Sequence, residues 1–415
     1  VTPGARLSAA IEILADWQKF DGPVERVIES WGRAHRFAGS KDRAAIAERV
    51  YAVFRRRGDL VGFMADDAPR ALVLGSVRLI DGLDLDAINA LCAMPHAPAP
   101  PNADERSRLG QAVPEAGLNL PEWLVPFAIK AFGSQAADEM AAMGRRAPFD
   151  LRVNRLNADR ETIRHRLAQS NVAAEPCRFV PDGLRLEKNI RLDALDVMQD
   201  GSIEPMDEGS QLAAVLVDAR PGQRVLDLCA GAGGKALALA AIMGNQGEIH
   251  ADDRDAKRLT KLDARAWRAG ARNISVTKPS GLYDRVLVDA PCSGSGTWRR
   301  SVDARWRLTP ATLSAYGRAQ EDLLIKAADL TRPGGLLIYV TCSWIAAENQ
   351  DRVEKFLTTR PDFTALSWRV VHADTLGGQC AIPDAPDDTP FLSLSTARHD
   401  TDGFFIAILK RSDPA

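Results

Sequence analysis

The sequence predicts an α/β protein in three parts: an all-helical segment, a small α/β unit, and a doubly wound sheet of mostly parallel strands. Three observations carry this. Positions 6–93 repeat apolar residues at helical spacing, beginning with Leu7, Ile11, Leu14 and Trp17. The run Phe149-Asp150-Leu151-Arg152-Val153-Asn154 then switches to alternation, the period of a strand. From about Asp207 onward, short apolar runs alternate with helical stretches, the rhythm of βαβ units.

The elements follow in order. Val24, Val27, Ile28 and Trp31 form a second helical set, and Ile46, Val50, Val53 and Phe54 a third, with Gly22-Pro23 and Gly39-Ser40 as breaks. The stretch 94–114, rich in Pro, Ala and charge, reads as a loop or linker. A helical pattern resumes near Leu120 and ends before Pro148. After the strand at 149–154 come a helix at 160–169 and a hairpin at 178–186, turning at Pro181-Asp182-Gly183. Strands are expected at 224–228, 248–251, 274–277, 285–289 and 336–341, then at 368–372 and 404–409. Apolar strands separated by helices imply a parallel sheet covered on both faces. The expected domains are 1–145, 146–205 and 206–415.

Composition sets limits. A chain of 415 residues exceeds a single core. Its formal charge of −2 gives no whole-molecule field for a polyanion, so a nucleic-acid site must be a local patch. The six cysteines lie far apart and form no CxxC pair or zinc pattern. Reduced thiols, a cytoplasmic location and no metal are therefore expected; a monomer is expected as well. The start, Val1-Thr2-Pro3-Gly4, has no signal region, and no apolar run is long enough to span a membrane.

The strand Val225-Leu226-Asp227-Leu228 runs into Cys229-Ala230-Gly231-Ala232-Gly233-Gly234-Lys235. Glycines let a ligand approach the backbone, and the helix amides beyond face it. The next strand ends at Asp252-Asp253, where a carboxylate accepts hydrogen bonds from ribose hydroxyls. Asp253 is the candidate and Asp252 reads as a solvated turn residue. These features suit NAD or S-adenosylmethionine equally.

Two cysteines decide between them. Val286-Leu287-Val288-Asp289-Ala290-Pro291-Cys292-Ser293-Gly294 and Leu336-Leu337-Ile338-Tyr339-Val340-Thr341-Cys342-Ser343 are apolar strands that each run into a thiol. Consecutive strands of a doubly wound sheet should be neighbours, which puts both sulfurs at the ligand edge. Such thiols suit methylation of cytosine at carbon 5, which is a poor nucleophile. A thiolate adding to carbon 6 makes an enamine whose carbon 5 accepts a methyl group. Asp289 is placed to bond ring nitrogen 3 and the exocyclic amine. Cys92, Cys177 and Cys380 read as packing residues, and Cys229 as backbone.

The strings Asp227 to Lys235, Asp289-Ala290-Pro291-Cys292-Ser293-Gly294-Ser295-Gly296, and Thr341-Cys342-Ser343 with Glu348-Asn349 resemble the RsmB/Sun-type RNA cytosine-5 methyltransferases. The likeness runs from about Leu120 to Asp402-Gly403-Phe404-Phe405. It implies a Rossmann-like S-adenosylmethionine-dependent methyltransferase domain, a small RNA-recognition-like subdomain, and an N-terminal helical domain similar to NusB. By the same resemblance Cys342 is the nucleophile and Cys292 promotes release, with Asp289 and Lys235 completing the catalytic set. The turn residues Cys229, Ala230, Gly231, Ala232, Gly233, Gly234 and Lys235 hold the cofactor with Asp253 and Asp289. Three departures stand out: Ala232 replaces a usual Pro, Met206 a usual Gln, and Thr277-Lys278-Pro279-Ser280-Gly281 lacks an acid that contacts adenine.

RNA, ribosomal by resemblance, would meet two basic clusters. Residues 26–57, with Arg55 and Arg56 at their end, carry an excess of six positive charges. Trp298-Arg299-Arg300 and Arg305-Trp306-Arg307 follow the first cysteine turn and combine cations with stacking surfaces. Two rivals remain: a DNA-type enzyme in which Cys292 attacks, and an inactive RNA-binding assembly factor.

Overall fold

The computed structural model describes residues 1–188, 190–385 and 389–413. The chain divides into two units, Val1–Arg145 with Trp298–Leu308, and Arg146–Thr297 with Thr309–Ala415.

The first unit is helical. Helices Pro3–Trp17, Val24–Ala34, Ser40–Arg55 and Pro69–Leu79 bury the apolar sets read from their spacing, including Leu7, Leu14, Trp17, Ile46, Val50 and Phe54. The expected loop at 94–114 contains a further helix, Ala103–Leu109, closed by a capping box between Asn102 and Glu105. Trp298–Leu308 belongs to this unit, so the expected domain 206–415 is interrupted. Val302 enters the helical core. The buried Asp303 Oδ2 accepts from Trp17 Nε1 at 3.2 Å, Val24 N at 3.1 Å and Arg307 Nε at 2.7 Å.

The second unit holds two sheets. In the smaller, strands β1 (Phe149–Val153), β2 (Ala174–Pro176), β3 (Gly183–Leu186) and β4 (Ile203–Pro205) lie in the order β2-β3-β1-β4. All neighbours are antiparallel, and helix Arg160–Gln169 covers Leu151, Val153 and Leu184 with Ile163 and Leu167. The hairpin pairs 174–176 with 184–186, so its first arm lies before the expected one.

The larger sheet contains β5 (Arg224–Asp227), β6 (Glu248–Ala251), β7 (Ile274–Val276), β8 (Tyr283–Asp289), β9 (Thr331–Thr341), β10 (Phe363–Leu366), β11 (Leu392–Leu394) and β12 (Phe404–Arg411). Its order is β10-β12-β9-β8-β5-β6-β7, with β11 beside β12. Strands β5 to β9 pair in parallel, and β12 runs antiparallel to β9 and β10. The chain moves outward from β5 to β6 and β7, then returns to β8 on the other side of β5. That reversal leaves a crevice at the carboxyl ends of β5 and β8, where open α/β sheets bind ligands. The expected strand at 368–372 is the helix Trp368–Leu376. Its buried residues Trp368, Val371, His372 and Leu376 fall at helical spacing, a period the short run did not separate from a strand. No helix among the described residues is long and apolar enough to cross a membrane.

Candidate active site

Strand β5 ends at Asp227, and the turn that follows returns the chain into helix Gly234–Ile242. Gly231 and Gly233 have φ of +55° and +86°, and a Cβ at 233 would sit 2.1 Å from Leu262 Cδ1. Only glycine fits there. Beyond Lys235 the helix is made of Ala, Leu and Ile on all sides, and it is buried accordingly. Asp253, beyond β6, accepts from Gly231 N at 2.9 Å and pairs with Arg258 at 3.1 Å, pinning the turn from the side. Burial and the Asp227 charge push the Cys229 thiol up.

Asp227 was not picked out in the sequence. It is 1% exposed and neither carboxylate oxygen has a hydrogen-bond partner. Burial first, and then the Asp289 charge, push it up to about 7, against the pull of Lys235. An unpartnered buried carboxyl under a glycine turn fits a ligand that brings its own cation. An acid past the second strand fits a ribose. S-adenosylmethionine, with an ammonium, a sulfonium and a ribose, matches both.

Strand β8 delivers Asp289, and Lys235 Nζ donates to its Oδ2 at 2.6 Å. Burial opposes the lysine charge, yet the Asp289 carboxylate overcomes it and the ammonium is held above its ordinary range. Three residues past Asp289 is Cys292, and one past β9 is Cys342. β8 and β9 pair in register up to Asp289↔Val340, which brings the two sulfurs to 3.5 Å. Both residues are half-buried, neither sealed in the core. The hydrogen bond to Cys342 and burial hold Cys292 well above an ordinary thiol, with charge on Cys342 and Glu348 adding to the effect. The arrangement places a cation, a carboxylate and two thiols at one crevice.

Other expected positions need correction. Asp252 is not a solvated turn residue: it is buried and paired with Lys278 at 2.9 Å and Lys326 at 3.6 Å. Arg305 does not present itself to RNA. It is 0% exposed, donates to the carbonyls of Asn119 at 3.2 Å and Met143 at 3.5 Å, and lies over the Trp298 ring. Arg299 is buried as well, whereas Arg300 is exposed. Packing of Trp298–Leu308 into the helical unit is the cause. Arg55 and Arg56 are half-buried and paired with Glu48 at 2.9 Å and Asp59 at 2.5 Å. Asp150, Cys177 and Glu208 form a buried group of ligand-type atoms. Its cation is Arg185, 2.7 Å from Asp150 and 3.5 Å from Glu208.

A Rossmann-like sheet with a glycine turn, an acid past the second strand and reactive side chains after the fourth and fifth defines a nucleotide-cofactor transferase. The comparisons are more specific. Residues 214–410 match the model of the 16S rRNA methyltransferase RsmB/F family, and 120–193 match the RsmF/B-like ferredoxin-like domain. A probable ribosomal RNA small subunit methyltransferase B from Synechocystis is 29% identical, over 97% of this chain and 98% of its own. Ribosomal RNA small subunit methyltransferase B from Salmonella newport is 30% identical, over 72% of this chain and 68% of its own. A methyltransferase homolog protein from Pyrococcus horikoshii superposes with TM-score 0.61 at 25% identity, over 71% of this chain and 96% of that one. The chain belongs to the RsmB/F methyltransferase family.

Proposed function

We propose that the protein transfers a methyl group from S-adenosylmethionine to carbon 5 of a cytosine in ribosomal RNA, through a covalent adduct on Cys342. The carrying observation is the pair of sulfurs 3.5 Å apart, from turns beside the Lys235–Asp289 ion pair.

In this reading the Cys342 thiolate adds to carbon 6 and carbon 5 becomes enamine-like. Asp289 accepts from the exocyclic amine and holds the ring in place. Lys235 balances Asp289, and its positive charge also attracts a Cys342 thiolate. Bound S-adenosylmethionine supplies an electrophilic methyl carbon, and Asp227, the turn Cys229–Lys235 and Asp253 would hold it. Cys292, as thiolate, takes the proton from carbon 5. The ring double bond reforms and the Cys342 sulfur leaves. Its raised pKa makes Cys292 hold that proton firmly. The base must be unpaired or flipped, because carbon 6 is shielded in a stack. Support for an RNA substrate comes from the family and from Arg26, Arg33, Arg36 and Lys41, which are exposed on the helical unit.

Incubation with ribosomal RNA and labelled S-adenosylmethionine tests this. Label on cytosine carbon 5, none with Cys342→Ala, and a stalled covalent RNA adduct with Cys292→Ala are expected. Loss of the adduct in Cys292→Ala would reverse the two roles.

One observation favours a second reading, an assembly factor that keeps the fold. The loop after β7 has Lys278 and no acid, and that lysine ties up Asp252. Calorimetry that detects no cofactor binding to clean wild-type protein would favour it.

A further inference from the structure

Glu348-Asn349 is part of the motif, yet the reaction above gives neither residue a task. We propose that Glu348 is the positioning residue of the two-thiol site: its carboxylate fastens the Cys292 turn to the Cys342 turn and sets the approach of the sulfurs. The inference rests on the covalent reading just given.

The geometry is a four-donor clamp. Ser293 and Ser343 are the residues directly after the two cysteines. Glu348 Oε2 accepts from Ser293 Oγ at 2.5 Å and Ser343 Oγ at 2.6 Å. Oε1 accepts from Ser293 N at 2.8 Å and from Gln320 Nε2 at 3.1 Å. Each serine hydroxyl has one proton, and both are spent on the carboxylate. The donor that reaches Ser343 Oγ at 2.9 Å is therefore Ser295, whose own Oγ accepts from Trp344 N at 3.0 Å. Gly296 N closes the link by donating to Cys342 O at 2.9 Å. Asn349 braces the other side of Cys342, accepting from Thr341 Oγ1 at 2.5 Å and donating to Ser343 O at 2.7 Å.

Glu348 is 1% exposed, and the described residues give it no ion pair. A buried carboxylate held only by neutral donors is costly to place, and for packing alone an amide or apolar residue would serve. Its charge lies toward Cys292 and is one of the influences that raise the proton affinity of that sulfur. Addition at carbon 6 and proton removal at carbon 5 require two sulfurs at adjacent ring atoms, Cys342 as nucleophile and Cys292 as base. The clamp supplies the spacing, and its charge raises the basicity of the Cys292 thiolate.

The test compares wild-type protein with Glu348→Gln and with the double variant Ser293→Ala/Ser343→Ala. Turnover at saturating RNA and cofactor is expected to fall about 100-fold in Glu348→Gln, the scale of a misplaced reacting group, with little change in either KM. Alkylation of each cysteine by iodoacetamide, followed by peptide mass against pH, needs neither RNA nor cofactor. There the Cys292 midpoint is expected to move down in Glu348→Gln and to stay in place in the serine variant, which keeps the charge but loses turnover. Wild-type turnover and an unchanged Cys292 profile in Glu348→Gln would overturn the proposal, as would a variant that loses only melting temperature. If Glu348→Gln fails to fold, unchanged turnover in the serine variant overturns it. A wild-type protein that methylates nothing refutes the covalent reading instead.

Discussion

Lys235 Nζ lies 2.6 Å from Asp289 Oδ2, joining the first turn of the helix after β5 to the last residue of β8. The pair spans the crevice between strands where the sheet changes direction. Three acids surround this lysine's charge: Asp289 as partner, Asp227 beneath, and a Cys342 thiolate when one forms. Removing the cation leaves Asp289 uncompensated beside an already strained Asp227. Lys235→Met is expected to lower unfolding free energy by about 2 kcal/mol, less than the ~3–5 kcal/mol of a fully buried pair because Asp289 is about a third exposed. Cys342 alkylation should also slow. A denaturant melt and a thiol-reaction time course check both, and a variant matching wild type in each would remove Lys235 from the reactive set.

Asp227 gives a prediction in pH. Its ordinary value is 3.8 and the fold raises it to about 7, so between these limits the native state holds a proton that the unfolded chain has released. Stability from this group is then greatest below about pH 4 and falls as pH rises to about 7. Asp227→Asn removes the penalty without changing shape. The variant should match wild type near pH 4 and exceed it by ~4 kcal/mol at pH 8. The same variant should bind S-adenosylmethionine more weakly, because the amide is no anion for an ammonium. Parallel stability curves for the two proteins across that range would show that Asp227 ionises normally.

Where the sequence was readable, the physics was local. The glycine turn announced itself because positive φ at Gly231 and Gly233 restricts the residue choice. The cysteines announced themselves because each follows an apolar strand, and parallel pairing of β8 with β9 does the rest. What escaped was decided at a distance. The partners of Arg305 lie 186 and 162 positions away in the chain, and no local pattern says that an arginine among tryptophans points inward. Asp252 looked solvated because Lys278 and Lys326 reach it from other elements. Trp368–Leu376 was ambiguous because the five-residue stretch Trp368-Arg369-Val370-Val371-His372 is too short to separate the two periods. Glu348 could have been suspected from its place five residues past Ser343, since an acid near two serines is a capable acceptor.

The burial of Arg305 separates stability from RNA binding. Its two carbonyl contacts and its place over Trp298 are all within the helical unit, and burial lowers its pKa to about 10. Arg305→Ala should destabilise that unit by ~3 kcal/mol through a lost side chain and orphaned carbonyls. Arg33→Ala and Arg36→Ala, on exposed positions, should leave the melt unchanged and flatten the salt dependence of RNA binding. A folded Arg305→Ala that weakens RNA binding with no loss of stability would return the residue to the RNA surface.

Two glycines from distant parts of the second unit hold the Cys292 turn against the edge of β12. Gly403 N donates to Gly296 O at 2.9 Å, and a Cβ at 296 would fall 2.1 Å from Gly403 O. Backbone stands on both sides, so neither can yield as a flexible side chain would. Gly296→Ala must therefore move the turn away from β12, stretching the Gly296 N to Cys342 O bond and parting the sulfurs. Overpacking of this kind costs about 1–3 kcal/mol, and the functional loss should exceed the stability loss. Gly377→Ala is the control: φ there is +52° with open space around it, so it bears only a conformational cost of about 1 kcal/mol. A short bifunctional thiol reagent that bridges Cys292 and Cys342 should close readily in wild type and in Gly377→Ala, and poorly in Gly296→Ala. Equal bridging in all three would mean that the two turns keep their spacing without help from this contact.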